Sequence, residues 1–386
     1  MDLMEYVTEE SILNLIRSRL DEKDELPEDF SLDRHVNGAK EVDHPSLGRI
    51  SFHLADGMED GFILQEGPNP EDSDDPLREA LLLANQEKYA EAAKGARDFL
   101  CGKNFFSKDT PRRMIDYADE LEAWMDGPDV ILDGPRVYTL SFNLLRSETH
   151  VEMVKFALLL LSILNTGWRE ECAQIVRILS RCNEFTWFCG RAAENWPDRN
   201  ERIFDMVRHV HGWGRINTLP LLKPETEEIR KWLLTEGWQT EFPNSEGILS
   251  VLQAFDTPEN LFQKTTYDDS MFKGFTAMMN GLLHEEDDSC GMDRIALPLP
   301  LAEGYLTECG RHPKDLETYE VMAGLFSYLH VRTEGKVPDE MKQHFESLLV
   351  TPECRDAVLA AQKEGKGPPS PASWDWKNNK PDDDPT

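Results

Sequence analysis

The sequence predicts an all-α protein built from antiparallel helix pairs, and three observations support this fold class. Apolar residues recur at helical spacing along most of the chain. Short segments that contain Gly, Pro or Asn separate these apolar runs, and no long alternating run after residue 138 indicates a central strand. Short helices joined by tight corners are typical of antiparallel neighbours. A stacked helical solenoid is the favoured arrangement, and a non-repeat bundle is the alternative.

The N-terminal part, residues 1–137, is predicted as a less regular, mainly helical segment with acidic loops. Thr8–Leu20 has apolar residues on one helical face, and Leu77–Leu100 is rich in Ala, Leu and Glu, which indicates a helix pair. Met114–Met125 repeats apolar residues at helical spacing. Val42–Glu66 contains short apolar runs broken by glycine, so both a hairpin and two helical fragments remain open.

Residues 138–363 have the more regular pattern and are predicted as helical repeats. Residues 364–386 are rich in Pro, Gly and Asp and are predicted as a disordered acidic tail, in which Trp374 and Trp376 form a docking peptide or fold back onto the last helices. The predicted repeat helices are Glu152–Leu164, Glu170–Ser180, Asn200–Val210 and Glu225–Glu236, followed by apolar faces at Ile248–Phe255 and Tyr319–Phe326.

Composition limits the partners and the location of the protein. The 386-residue chain has a formal net charge of -32, whereas binding to nucleic acid or to an anionic membrane needs clustered Lys and Arg. The acidity indicates either a well-solvated surface or a basic partner. We expect another protein as the partner, with a basic surface as one alternative, and neither nucleic acid nor membrane. The N-terminus lacks a signal-peptide pattern, and the longest uncharged apolar run, Phe156–Thr166, is too short to span a bilayer. With seven scattered cysteines, these features predict a cytoplasmic protein.

The segment "VHGWGRINTLPLLKPETEEIRKWLLTEGW" resembles the helix–corner–helix unit of divergent HEAT-like repeat proteins. More narrowly, it is similar to a largely uncharacterised set of HEAT-like proteins from anaerobic Gram-positive bacteria. The similar residues are Gly212–Ile216 at the corner, then Pro224–Ile229 and Trp232–Leu234. The likeness extends loosely from Tyr138 to about Leu349. It implies a HEAT-like α-solenoid, although the regular Asp/Arg pair of such repeats is missing from the corners.

The corner "HVHGWGRINTLPLL", His209–Leu222, admits three interpretations. A dinucleotide-binding turn needs a preceding strand and a third glycine, and Asn217 stands at that third position. A metal site is disfavoured because His209 and His211 are two residues apart, which on a helix directs them to different faces. We therefore interpret the segment as a corner between helices. Gly212 is then expected to end the preceding helix with a positive φ.

No other motif indicates a reaction or a bound ion. Cys182 and Cys189 are too far apart in sequence for a zinc pair, and "HEEDD", His284–Asp288, lacks the spacing of a calcium loop. The chain contains no nucleophile elbow, no Walker A loop and no kinase signature. We expect no catalytic residues, no metal and no cofactor, and therefore not an enzyme.

These observations predict a non-catalytic, cytoplasmic protein-binding scaffold that uses the concave surface of a solenoid. Gly-Trp pairs recur at three corners, and Trp and Arg dominate binding hot spots. The candidate binding residues are Trp168, Trp213, Arg215, Trp232 and Trp238. The alternative for the tryptophans is burial in the core between helices.

Two sharper hypotheses follow from the charge and the fold. In the first, the acidic chain is an inhibitor or immunity protein that covers the cationic surface of a basic toxin. In the second, it is a nucleic-acid-modifying enzyme such as an alkylpurine DNA glycosylase, an activity found on HEAT-like scaffolds. The second hypothesis needs a basic groove, for which Lys103–Met114 is the best candidate stretch. The oligomeric state does not follow from the sequence.

Overall fold

The computed structural model is all-α apart from short hairpin pairings, which confirms the predicted fold class. It describes residues 7–36, 40–44, 48–70, 72–102, 112–242, 244–263, 265–284, 291–363, 374–375 and 380–381. The chain divides into two compact units, residues 1–222 and residues 223–386. The assignment of the helices to HEAT-like repeats stays a prediction.

The first unit contains twelve α-helices and one hairpin within its described residues. The strands β1 (Lys40–His44) and β2 (Gly48–Phe52) pair antiparallel, so the region left open by the sequence is a hairpin followed by a helix. The helices are α1 (Ile12–Arg17), α2 (Leu32–Val36), α3 (Met58–Glu66), α4 (Asp75–Asn85), α5 (Tyr89–Leu100), α6 (Ala118–Met125), α7 (Gly134–Ser147), α8 (Val151–Ser162), α9 (Glu170–Leu179), α10 (Thr186–Ala192), α11 (Arg199–Arg208) and α12 (Trp213–Thr218).

Helix α8 is the centre of the first unit, because all of its residues are buried. Its sequence "VEMVKFALLLLS" is mostly apolar on every side, with Glu152 and Lys155 as the charged exceptions, which suits a helix enclosed by neighbours and not one at the surface. Helices α5, α6, α7 and α10 pack around it. The predicted helix Glu152–Leu164 is therefore present, shifted by one or two residues.

Helix α7 crosses the position at which the sequence predicted a domain boundary. Residues 137 and 138 lie inside this helix, and α7 packs against α4, α5 and α8. Helices on both sides of that position therefore share one hydrophobic core, and the separation between compact units falls after residue 222 instead.

The second unit contains eight α-helices within its described residues. Helix α16 packs against α14 and α18, while α17 packs against α15, α18 and α19. The helices are α13 (Glu227–Trp232), α14 (Asn244–Phe255), α15 (Pro258–Gln263), α16 (Asp269–Leu283), α17 (Pro298–Cys309), α18 (Leu316–Arg332), α19 (Asp339–Leu349) and α20 (Pro352–Lys363), and a π-helical turn, Leu233–Gly237, follows α13.

Helix α20 ends at Lys363, where the sequence predicts the start of the tail. Within residues 364–386 the structure describes one short antiparallel pairing, between β3 (Trp374–Asp375) and β4 (Lys380–Pro381). The other tail residues, Trp376 among them, lie outside the described residues. The predicted disorder and the predicted docking peptide therefore stay predictions.

A glycine in α3 allows close packing against α12. Gly61 faces the indole of Trp213, and a Cβ at this position would lie 2.4 Å from Trp213 Cε3. Phe62, the next residue, contacts the same indole edge-on at a ring distance of 5.4 Å. The absence of a side chain at Gly61 therefore permits α3 to pack closely against this tryptophan.

We predict opposite effects for two glycine-to-alanine substitutions in the first unit. Gly61→Ala should lower the free energy of unfolding by about 1–3 kcal/mol, since the added methyl group overpacks the Trp213 contact. Gly95→Ala, inside α5, should raise it by about 0.5–1 kcal/mol, since it improves helix propensity. Apart from its chain neighbours and its own helix backbone, no described residue has an atom within 4 Å of a Cβ placed at Gly95. Urea unfolding of both variants measures the difference, and equal effects would contradict the packing described here.

Candidate binding surface

Trp168 is the sequence-predicted binding residue that the structure places at the surface. It lies between α8 and α9, and its side chain is 73% exposed. Its indole N–H donates to the carbonyl of Asn165 at 3.0 Å. The Arg169 guanidinium lies over the Trp168 ring at 4.8 Å and over the Tyr138 ring at 4.4 Å. The preceding Gly167 packs closely on Trp196, since a Cβ there would lie 2.7 Å from Trp196 Cγ.

These contacts hold an exposed aromatic ring in a defined position. A stacked guanidinium and a hydrogen-bonded indole restrict the rotamers of Trp168, so little conformational entropy is left to lose on binding. Acidic residues follow Trp168 closely along the chain, since Glu170 and Glu171 lie in the first turn of α9. The result is a small aromatic surface with acidic neighbours.

Trp213 and Arg215 lie in the core of the first unit, 4% and 5% exposed. The Arg215 Nε donates to the carbonyls of Val207 at 3.0 Å and Val210 at 2.6 Å, which lie at the end of α11. One guanidinium nitrogen is 3.0 Å from His211 Nδ1. Arg215 therefore neutralises the carbonyl end of α11 and joins it to α12, as a basic group at a helix C-terminus does.

The expected left-handed conformation of Gly212 is wrong. Its φ is -109°, and it precedes α12 as the N-cap instead of ending α11. The physical reason is Asn183, whose side-chain oxygen accepts the N–H groups of Gly212 at 3.2 Å and of Gly214 at 3.0 Å. A Cβ at Gly214 would lie 2.6 Å from the Cα of Asn183, so close approach explains that glycine. Residues 209–212 form a corner between α11 and α12, whereas residues 213–221 of the predicted corner are themselves helical.

Trp232 and Trp238 lie in the core of the second unit, each 8% exposed. The Trp238 indole N–H donates to the carbonyl of Leu234 at 3.2 Å. Gly237 packs on Trp232, because a Cβ there would lie 3.0 Å from Trp232 Cζ3. Of the five residues selected from the sequence, four are therefore buried, and the structure does not bring the five together at one surface.

The structure also contains a buried ion cluster that sequence reasoning missed. The Nζ of Lys155, a fully buried side chain of α8, lies 2.6 Å from Asp60 Oδ2, 2.6 Å from Glu184 Oε1 and 3.2 Å from Glu152 Oε1. Arg113 pairs with Glu59 and reaches Glu152 at 3.4 Å. A charged pair inside the apolar run of α8 was the one available signal, since Lys and Glu are rarely buried unless paired.

Backbone N–H groups bind two of the carboxylates in the cluster. Glu184 accepts the N–H of Gly57 at 2.6 Å, and Glu152 accepts the N–H of Met114 at 2.6 Å. Three carboxylates hold the pKa of Lys155 well above its usual range, although burial alone would lower it. Lys155 is therefore a protonated cation, a form without nucleophilic character.

Two carboxyl groups of this region have raised pKa values. Burial, reinforced by Glu184 and Glu152, raises the pKa of Asp60 to about 8 despite the opposing charge of Lys155. Its Oδ1 has no hydrogen-bond partner among the described residues. Burial also raises the pKa of Asp56 to about 6, against the lowering effect of the N–H groups of Leu32 and Asp33 that it accepts at 2.7 Å and 3.0 Å.

Asp56 lines a small cleft next to the cluster. The cleft has a volume of ≈ 20 Å³, which is space for about one water molecule. Asp33, Glu59, Glu184 and Arg113 share its lining. Nonetheless, nowhere in the described ranges do three His, Cys, Asp or Glu side chains form a set that could hold a metal ion.

Other residues singled out in the sequence have structural contacts or lie outside the described residues. In the basic stretch, Arg112 binds Asp72 at 2.6 Å and stacks on Phe99 at 4.6 Å, and Arg113 belongs to the ion cluster, so both guanidinium groups have carboxylate partners. Residues 103–111 of that stretch and residues 285–288 of "HEEDD" are outside the described part. Burial raises the pKa of the Cys182 and Cys189 thiols well above the usual value, which disfavours the thiolate.

No family model, curated protein or solved structure matches the chain. Along the described ranges, no helix has both the length and the apolar character needed to cross a membrane.

We predict that Lys155→Met lowers the free energy of unfolding by about 3–5 kcal/mol, because it leaves buried carboxylates without their cation. Lys231→Met is the matched control: it removes a half-exposed pair with Asp268 in the second unit and should cost less than about 1 kcal/mol. Urea unfolding measures both. A Lys155 variant as stable as the control would show that the cluster is unimportant for folding.

We predict a pH-dependent difference between the wild type and Asp60→Asn. With its pKa raised to about 8, Asp60 holds a proton in the folded state that the unfolded chain releases near pH 4. Its contribution to stability is therefore complete below about pH 4 and is lost as the pH rises through about 8. The free energy of unfolding should fall more steeply between pH 5 and 9 in the wild type than in Asp60→Asn. Parallel curves would contradict the assignment.

Proposed function

We propose that this protein binds another protein, one with a basic surface, without catalysing a reaction. The observation that carries the proposal is Trp168, a large aromatic side chain fixed at the surface by Arg169 and supported through Gly167 on Trp196. Large exposed aromatic groups are favoured at protein interfaces because they bury much apolar area at small entropic cost. The other predicted contacts are buried, so the proposed surface is centred on Trp168 alone.

The charge of the chain selects the kind of partner. A net charge of -32 attracts basic proteins over distances of several ångströms and repels acidic ones. Glu170 and Glu171, which follow the Trp168–Arg169 pair along the chain, contribute to this negative charge. A cytoplasmic inhibitor or immunity protein that covers the cationic surface of a toxin is the specific form of this proposal. Association should then be fast and sensitive to salt.

Capture from a cell extract tests the proposal with the full chain as bait. The wild type and Ile131→Ala, a control at another exposed apolar residue, should enrich the same basic protein, and Trp168→Ala should lose it. Binding of that protein should weaken as the salt concentration rises. Equal capture by Trp168→Ala would overturn the proposed surface, and enrichment of acidic proteins would overturn the proposed partner class.

We predict that Trp168→Ala changes the free energy of unfolding by less than about 0.5 kcal/mol, because the side chain is exposed. Trp213→Ala should lower it by about 3–5 kcal/mol, because that indole fills space in the core. Thermal or urea unfolding separates the two roles. A large loss of stability at Trp168 would show a structural residue, and any loss of binding would then need another explanation.

A further inference from the structure

The second unit contains an apolar pocket that has no part in the proposed function. It has a volume of ≈ 250 Å³ and lies where the C-terminal end of α14, helix α15 and the start of α17 meet. Leu249, Leu252, Phe255, Leu261, Ile295 and Leu301 are among its apolar lining residues. A concave apolar site with a few polar groups is the usual form of a small-molecule site.

The charged groups at this pocket favour a cation. Asp256 lines the pocket and is exposed, and the described part of the chain gives it no ion-pair partner. Arg294, the other charged lining residue, is already neutralised by Glu246. Asp256 also follows the last residue of α14, so it adds its charge to the partially negative carbonyl end of that helix.

The helix N-termini at the pocket are poor anion sites. Pro258 begins α15, and Pro298 and Pro300 lie in the first turn of α17. Proline has no backbone N–H, so each of these turns has fewer donors for an anion than a turn without proline. The N–H of Leu301 is engaged by the carbonyl of Leu297 at 3.3 Å. The N-terminal ends of α15 and α17 therefore do not outweigh the preference for a cation that Asp256 gives the pocket.

We propose that this pocket binds small organic cations with an apolar body, of the alkylammonium class. The apolar body lies between α14, α15 and α17, and the ammonium group lies at the rim beside Asp256. A volume of ≈ 250 Å³ corresponds to about eight water molecules at ~30 Å³ each, which suits a chain of about seven carbon atoms. This site is independent of Trp168, which belongs to the first unit.

Three probes of equal length and different charge test the site. Heptylammonium, heptan-1-ol and heptanoate are titrated into the full-length protein at pH 7 by ligand-observed NMR. Heptylammonium should bind most tightly and heptanoate most weakly. Equal affinity for heptanoate and heptylammonium, or no saturable binding of any probe, would overturn the proposal.

Two substitutions assign the binding to this pocket. Asp256 has a φ of 73°, a conformation that Asn also adopts, so Asp256→Asn removes the charge without new backbone strain. It should weaken heptylammonium about 2–5-fold and leave heptan-1-ol unchanged, as expected for one exposed ion pair. Ala296→Phe, which fills the pocket from an exposed position, should weaken both probes at least about tenfold.

Matched controls in the same unit separate local from general effects. Asp339→Asn removes an exposed acid from α19, and Val331→Phe adds a ring to an exposed position on α18. Neither residue lines the pocket. Both variants should bind heptylammonium like the wild type. If Asp339→Asn weakens heptylammonium as much as Asp256→Asn does, attraction is due to overall charge and the proposed site is wrong.

Discussion

The burial of Lys155 is the constraint on which the first unit depends. A fully buried ammonium group needs polar and oppositely charged groups in contact with it, and carboxyl groups from three places in the sequence surround this one: Asp60 on α3, Glu152 on α8 itself and Glu184 before α10. Breaking such a set leaves uncompensated charge in a medium of low polarity. The cluster therefore fixes which elements meet, even though apolar packing supplies most of the stabilisation.

The cluster also connects the irregular N-terminal elements to the central helix. Glu184 binds the backbone of Gly57 just before α3, and Glu152 binds the backbone of Met114. Asp56, next to Gly57, binds the first N–H groups of α2. The segments at Gly57, at Met114 and at the start of α2 thus acquire fixed positions through carboxylates. Burial, reinforced by neighbouring carboxylates, explains why Asp60 and Asp56 have raised pKa values.

The tryptophans show how one residue type serves two purposes in this fold. The ring of Trp213 packs against Gly61 of α3, and the ring of Trp232 packs against Gly237. In both cases the glycine leaves space for a buried ring. At residue 168 the glycine packs on a different tryptophan, Trp196, and the ring of Trp168 is left at the surface. The surroundings of a Gly-Trp pair, and not the pair itself, therefore determine whether its indole is buried.

The sequence by itself determined the helical fold class and the approximate positions of the helices. Helical periodicity is a local property, so α4, α5, α8 and α9 follow from the spacing of apolar residues within each segment. The charge of -32 is likewise a property of composition, and it limits the partners without reference to the fold. The division into units after residue 222 did not follow from these local patterns. At the predicted boundary, α7 instead joins the helices on both sides in one core.

Only the tertiary structure decided which of the selected residues are accessible. Trp213 and Trp168 have the same local signal, a glycine before an indole at a helix corner, and they differ in what packs against them. The ion cluster unites residues 60, 152 and 184, which are far apart in sequence and have no common spacing. The pocket beside Asp256 likewise joins the ends of helices that are separated along the chain. Contacts of this kind depend on the packing of distant segments, so local sequence patterns do not predict them.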